Sequence, residues 1–163
     1  MKLDNAIKGV LDAEAALAKR LLAVGERHAA DHDVYHLGHT LARQAADHVT
    51  RLTPFAERYH MAPPAPPHAG DSHGILETLR LKRSQLMGRA ESAGMLLLRE
   101  LRETYLLAQA TEIAWTILQQ AALAVRDGEL LDVISTCHEQ TETCAKWLRT
   151  RIKETAPQAL AAG

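Results

Sequence analysis

Residues 61–74 read MAPPAPPHAGDSHG, and they separate two long segments with helical periodicity. The prolines fix φ and remove backbone N–H donors, so this stretch favours an extended connection over a helix. A linker of this length exceeds the roughly 2–8 residues that usually join neighbouring helices in a bundle. The sequence therefore predicts that residues 61–74 cross the length of a helical bundle.

On both sides of this linker, apolar residues recur at the spacing of an α-helix, and no segment alternates with the period of a β-strand. The fold class is therefore all-α. Asp31, Asp127-Gly128 and Pro157 are start and stop signals for helices. They place four long helices, with one short extra helix after the linker, at about residues 3–26, 31–60, 75–87, 95–126 and 129–155.

The long helices are predicted to pair in order. The first and second should form one antiparallel hairpin, and the third and fourth should form another. Residues 1–155 are then a single helical-bundle domain, and residues 156–163 are a C-terminal tail.

The composition argues against several kinds of partner. Nineteen basic and twenty acidic side chains give a net charge of −1, and without a basic block no nucleic-acid partner is expected. No apolar stretch reaches the roughly 18 residues of a membrane span, and the first residues lack the apolar core of a secretory signal. We therefore predict a cytoplasmic protein that has no membrane partner.

The sequence also lacks the parts of several enzyme classes. It has no nucleophile elbow, no glycine-rich phosphate loop and no Cys-x-x-Cys pair, which argues against a hydrolase, a nucleotide-binding protein and a thioredoxin. Cys137 and Cys144 lie roughly 10 Å apart along one helix, too far for a disulfide. Two reduced, buried thiols are expected, and catalysis is the less favoured interpretation.

A few polar residues fall on the apolar sides of their helices. Glu14 lies there in the first helix, His48 in the second and Glu112 in the third, while His138 and Glu142 flank the apolar side of the fourth. A buried carboxylate is costly unless it is paired, protonated or bound to a metal. We therefore expect Glu14, His48 and Glu112 to converge inside the bundle, within about 3–6 Å of one another.

Two short motifs accompany this pattern. The first helix contains Asp12-Ala13-Glu14, and the second contains Thr40 followed by His48-Val49-Thr50-Arg51-Leu52. With these motifs and two hairpins joined by a long crossover, the chain resembles the ferritin-like superfamily, and most closely its small bacterial members. The resemblance implies a dimetal centre in which two helices supply Glu and the other two supply Glu-x-x-His.

The sequence departs from that dimetal pattern. Ala45 and Ser135 stand where a Glu would precede His48 and His138, so the resemblance implies an incomplete site. The predicted interior set is Glu14, His48, Glu112, His138 and Glu142. It leaves three alternatives open, namely a single Zn, Mn or Fe ion, a di-iron centre, and a hydrogen-bonded network without metal, in which the carboxylates bond to His48, Tyr105 or Thr141.

Four further histidines recur at helical spacing. His28, His32, His36 and His39 occupy one arc of roughly 80° on a single helix, opposite its apolar side. We expect this histidine stripe to be exposed. Imidazoles one turn apart can share Zn²⁺, Ni²⁺ or Cu²⁺, can gain charge together near pH 6, or can simply solvate the helix.

The favoured interpretation is a non-catalytic binding or assembly module, acting as a homo-oligomer or with a protein partner. The third helix and residues 147–149 could form the interface. The alternative is a metal-binding protein of redox or metal-handling function, with a divalent transition metal such as Fe, Zn or Mn. The sequence alone does not identify a cofactor.

Overall fold

The computed structural model of this protein describes residues 3–60 and 92–161. Within those ranges the chain forms four helices and no strand, so the all-α class is confirmed. The helices are α1 (Leu3–Arg27), α2 (His32–Arg58), α3 (Ala93–Val125) and α4 (Gly128–Ala161). The predicted crossover at residues 61–74 and the predicted short helix at residues 75–87 lie outside the described residues.

Local side-chain contacts explain most helix ends. Asp31 and Ser92 cap α2 and α3, because each side chain accepts a hydrogen bond from the backbone N–H three residues on, at 3.1 Å and 3.3 Å. Arg126 ends α3 in the left-handed conformation, with φ of 57°. The carboxylate of Asp127 then accepts from Leu130 N at 3.0 Å, which supports the first turn of α4.

The end of α4 differs from the sequence prediction. The helix continues past Pro157 to Ala161, whereas the sequence predicts an end near residue 155. A proline inside a helix removes one backbone hydrogen bond, and the residues that follow Pro157 include strong helix formers. Ala159 also lies against Gly94 of α3, which gives the extra turn a packing partner.

The four helices form a square in which α1 packs on α2 and α3, and α4 packs on α2 and α3. Side-chain pairs give the direction of each neighbour. Glu14 bonds to Trp115 while Arg27 pairs with Glu100, so α1 and α3 are antiparallel. By the same reasoning, the pairs His48–Gln140 and Arg58–Glu129 make α2 and α4 antiparallel.

It follows that α2 and α3 run in the same direction on opposite corners of the square. His60 and Ser92 therefore lie at opposite ends of the bundle. The short turns α1–α2 and α3–α4 join antiparallel neighbours, as the sequence predicts for two hairpins.

The core has a polar layer between two apolar clusters. One cluster contains Val10, Leu52, Trp115 and Cys137, and the other contains Leu17, Ala108, Cys144 and Leu148. The buried polar residues of the layer are Glu14, His48 and Thr141. Hydrogen bonds from His48, Trp115 and Thr141 to Glu14 show that the layer draws on all four helices at the same height.

The first hairpin closes by direct contact of two helix backbones. A Cβ atom built on Gly38 would lie 2.7 Å from Leu21 O and 2.9 Å from the Cα of Gly25. Only glycine fits where α1 and α2 cross so closely. This crossing brings the start of α2, with its histidines, beside the end of α1.

None of the helices in residues 3–60 and 92–161 is both long and apolar enough to span a membrane.

Candidate functional site

The middle of the bundle holds a hydrogen-bonded network around Glu14. Its Oε1 atom accepts from His48 Nδ1 at 2.8 Å, from Trp115 Nε1 at 2.6 Å and from Thr141 Oγ1 at 3.1 Å. His48 Nε2 lies 2.8 Å from Oε1 of Gln140. Glu14 is 1% exposed and His48 is 2% exposed, so this pair is sealed from solvent, while Gln140 is partly buried.

The partners of His48 favour its charged form. Burial alone would lower the pKa of this imidazole, but the hydrogen bond to Glu14, the charge of Glu14 and the hydrogen bond to Gln140 together raise it above its usual value. As an imidazolium, His48 donates from both ring nitrogens, to a carboxylate on one side and an amide oxygen on the other. When His48 is protonated, it forms a buried ion pair with Glu14.

This geometry leaves few free ligand atoms for a metal at the centre of the bundle. Both ring nitrogens of His48 are engaged in hydrogen bonds, and three donors share one oxygen of Glu14. The second oxygen, Oε2, has no hydrogen-bond partner among the described residues. The arrangement corresponds to the hydrogen-bonded alternative for Glu14, His48 and Thr141, and the metal role of Glu14 and His48 stays a prediction.

Glu112 belongs to a different group. It lies with His138 and Glu142 between α3 and α4, where one ligand atom from each residue lies within 4.8 Å of the other two. All three are partly buried, and the carboxylate of Glu112 accepts a hydrogen bond from Gln109 Nε2, at 3.1 Å. The predicted interior set therefore divides into the Glu14–His48 network and a flank cluster of Glu112, His138 and Glu142.

The histidine stripe also divides. His32 and His36 are exposed on the first turns of α2, and their Nε2 atoms lie 3.0 Å apart. The Nε2 of His39 lies 2.8 Å from Glu26 Oε1. His28 does not share their helix, because Asp31 caps α2 and leaves His28 in the α1–α2 turn.

His28 instead joins a buried charge cluster that the sequence prediction missed. Glu100 of α3 is 3% exposed, pairs with Arg27 and accepts from His28 Nε2 at 2.6 Å. Burial alone would raise the pKa of Glu100, but His28 and Arg27 outweigh it and lower the pKa. The sequence could have indicated that Glu100 is buried, since this residue lies one helical turn from Leu97 and from Thr104, which are both buried.

Cys137 and Cys144 are free and buried, as the sequence predicts. Burial raises the pKa of the Cys137 thiol to about 11 and that of Cys144 to about 12. Both therefore stay protonated at neutral pH, and neither has the character of a nucleophile.

Comparisons of this chain with protein-family models, with curated proteins and with solved structures find no match.

Proposed function

We propose that this chain is a ferritin-like helical bundle that works as a non-catalytic assembly module, and that two copies pair through the outward face of α3. The ferritin-like part draws support from the two hairpins and from the shared direction of α2 and α3. The assembly part rests on one observation, a row of exposed apolar side chains along α3.

The row consists of Leu106, Ala110, Ile113 and Ile117. Leu106 is 54% exposed, Ile113 is 59% exposed and Ile117 is 44% exposed. The spacing of four, three and four residues is that of the apolar positions in a coiled-coil seam. The opposite side of α3 is buried in the core, so α3 is apolar on two faces, which is typical of a helix covered on both sides.

A second copy of the chain is the occupant that this row fits. About a two-fold axis, antiparallel copies place Leu106 opposite Ile117 and Ala110 opposite Ile113, so the row is self-complementary. Arg99 and Arg102 stand at one end of the row. Antiparallel pairing brings these arginines to the C-terminal end of the other α3, where the helix dipole favours a cation, whereas parallel pairing would set them against each other.

The apolar area that the dimer would bury determines its expected affinity. Full burial of a Leu or Ile side chain is worth about 1.5–3 kcal/mol, so each half-exposed one contributes about 1 kcal/mol. Three such residues from each copy give about 6 kcal/mol before the cost of association. Association itself costs about 4 kcal/mol or more, so these residues alone leave a small net gain, and we expect a weak dimer with a Kd of about 1 mM or above.

Sedimentation equilibrium of the full chain over a wide concentration range tests this. We expect the average mass to rise toward that of a dimer, and Ile113→Lys to hold the protein at the monomer mass. Leu160→Lys is the matched control, because Leu160 is 65% exposed but lies near the end of α4. A monomer at every concentration contradicts the proposal, and dissociation by Leu160→Lys alone would move the interface to that end.

The rival function is metal binding in redox or metal handling, and the flank cluster of Glu112, His138 and Glu142 favours it. A di-iron centre needs roughly four carboxylates, whereas Glu14 is the one carboxylate in the polar layer of the described core. Metal analysis of protein purified without an affinity tag tests the di-iron form of this rival, since a di-iron centre would hold two iron ions per chain, more than a single structural ion. A cytoplasmic setting, which suits two free thiols, is part of the proposed function.

A further inference from the structure

The flank cluster has the arrangement of a mononuclear cation site. His138 and Glu142 are one turn apart on α4, and Glu112 faces them from α3. His138 Nε2 lies 3.8 Å from Glu142 Oε1. Ligand atoms about 2.0–2.2 Å from one ion lie roughly 3–4 Å apart, so this separation already suits a shared ion.

A second observation concerns the imidazole of His138. Its Nε2 atom is buried and has no hydrogen-bond partner in the described part of the chain. The distance to Glu142 is too long for a hydrogen bond, and a buried polar atom without a partner is costly. A cation between His138, Glu142 and Glu112 would remove that cost.

The carboxylate of Glu112 is also oriented for this role. Gln109 Nε2 donates to its Oε2 at 3.1 Å, which holds the group in place and leaves Oε1 for an ion, as outer hydrogen bonds do in metal sites. Two carboxylates balance the charge of a divalent ion. The side chain of Glu142 is 43% exposed, so water can reach the remaining coordination position.

We propose that Glu112, His138 and Glu142 bind one divalent transition-metal ion between α3 and α4, at a site separate from the Glu14–His48 network. One imidazole with two carboxylates suits Zn²⁺, Fe²⁺ and Mn²⁺, and the general affinity order places Zn²⁺ above Mn²⁺. The ion would link the two helices of the second hairpin. This binding involves no redox step.

Calorimetric titration with Zn²⁺ tests the site. The parent for this test is the full chain carrying His32→Gln and His36→Gln, because that exposed pair could also chelate zinc. We expect one Zn²⁺ per chain and a thermal midpoint that rises with free Zn²⁺. His138→Gln and Glu112→Gln should each weaken binding by about tenfold or more.

Glu139→Gln is the matched control, since Glu139 is exposed on α4 between the two ligand positions, and it should bind Zn²⁺ like the parent. Helix content by circular dichroism checks that each variant is folded. Co²⁺ supplies a second readout, because its visible absorption should appear on binding and be lost in His138→Gln. The proposal is overturned by a parent that binds no Zn²⁺, or by a folded His138→Gln that binds as the parent does.

Discussion

Replacing Glu14 by Leu removes the acceptor shared by His48, Trp115 and Thr141, and we expect a large loss of stability. Thr141 keeps its hydrogen bond to Cys137 O at 2.9 Å, and His48 keeps Gln140. Trp115 Nε1 is left buried without a partner, at about 1–3 kcal/mol, and the charge of His48 loses its counter-ion. The variant no longer pays the cost of burying the Glu14 carboxylate, which offsets part of this loss. The free energy of unfolding therefore falls by about 3 kcal/mol at pH 6.

This loss should depend on pH. The folded pKa of His48 is raised, so the stability from its pairing with Glu14 is fully present below the unfolded value near 6.5 and is lost as pH rises through the folded pKa. We therefore expect Glu14→Leu to cost less at pH 9 than at pH 6. Glu14→Gln keeps an oxygen for Trp115 and His48, so it should cost about 1 kcal/mol or less and flatten the pH dependence.

Urea unfolding at pH 6 and pH 9 measures both effects. Circular dichroism reports the helices, and the fluorescence of Trp115, which is fully buried, reports the network directly. Trp147, which is 55% exposed, is replaced by Phe in all variants so that one emitter remains. If Glu14→Leu is as stable as the parent at pH 6, the network is not stabilising. An equal loss at both pH values would show that pairing with Glu14 does not raise the pKa of His48.

The remaining predictions concern the α1–α2 crossing and the buried Glu100. Gly38→Ala should destabilise the protein by about 2 kcal/mol or more in the same assay, because the added Cβ would clash with backbone atoms of α1. Gly9→Ala should instead stabilise it by about 0.5–1 kcal/mol, because Gly9 lies in open space on α1. Equal effects would refute the close crossing. Because the pKa of Glu100 is lowered, its pairing stabilises the fold above about pH 4.5 and is lost as pH falls through the folded value. Glu100→Gln should thus lose stability at pH 7 and approach the parent in acid, and a constant difference would contradict the pairing.

The sequence predicted the helices well because their signals are local. Asp31 and the Asp127-Gly128 turn lie where the structure begins α2 and α4, within the usual uncertainty of a residue or two. The inward position of Glu14 and His48 could also be read from periodicity, since each lies on a helix with one clear apolar face. The hydrogen-bond partners of Glu14 and His48 could not be read from periodicity. These partners, Trp115, Gln140 and Thr141, lie on other helices, and no spacing rule relates residues of different helices.

The third helix shows why the rest of the site escaped prediction. An apolar arc identifies the inward side of a helix only when the other side is polar, and α3 has Trp115 in the core and Ile113 outside it. Glu112 is roughly 80° from the centre of the buried arc, which places it toward α4, while Glu100 is the carboxylate of α3 that is buried. The apolar surface that concealed the inward side of α3 is the same surface that we propose as the dimer interface. If that interface exists, the ambiguity in the sequence comes from one helix serving two buried faces.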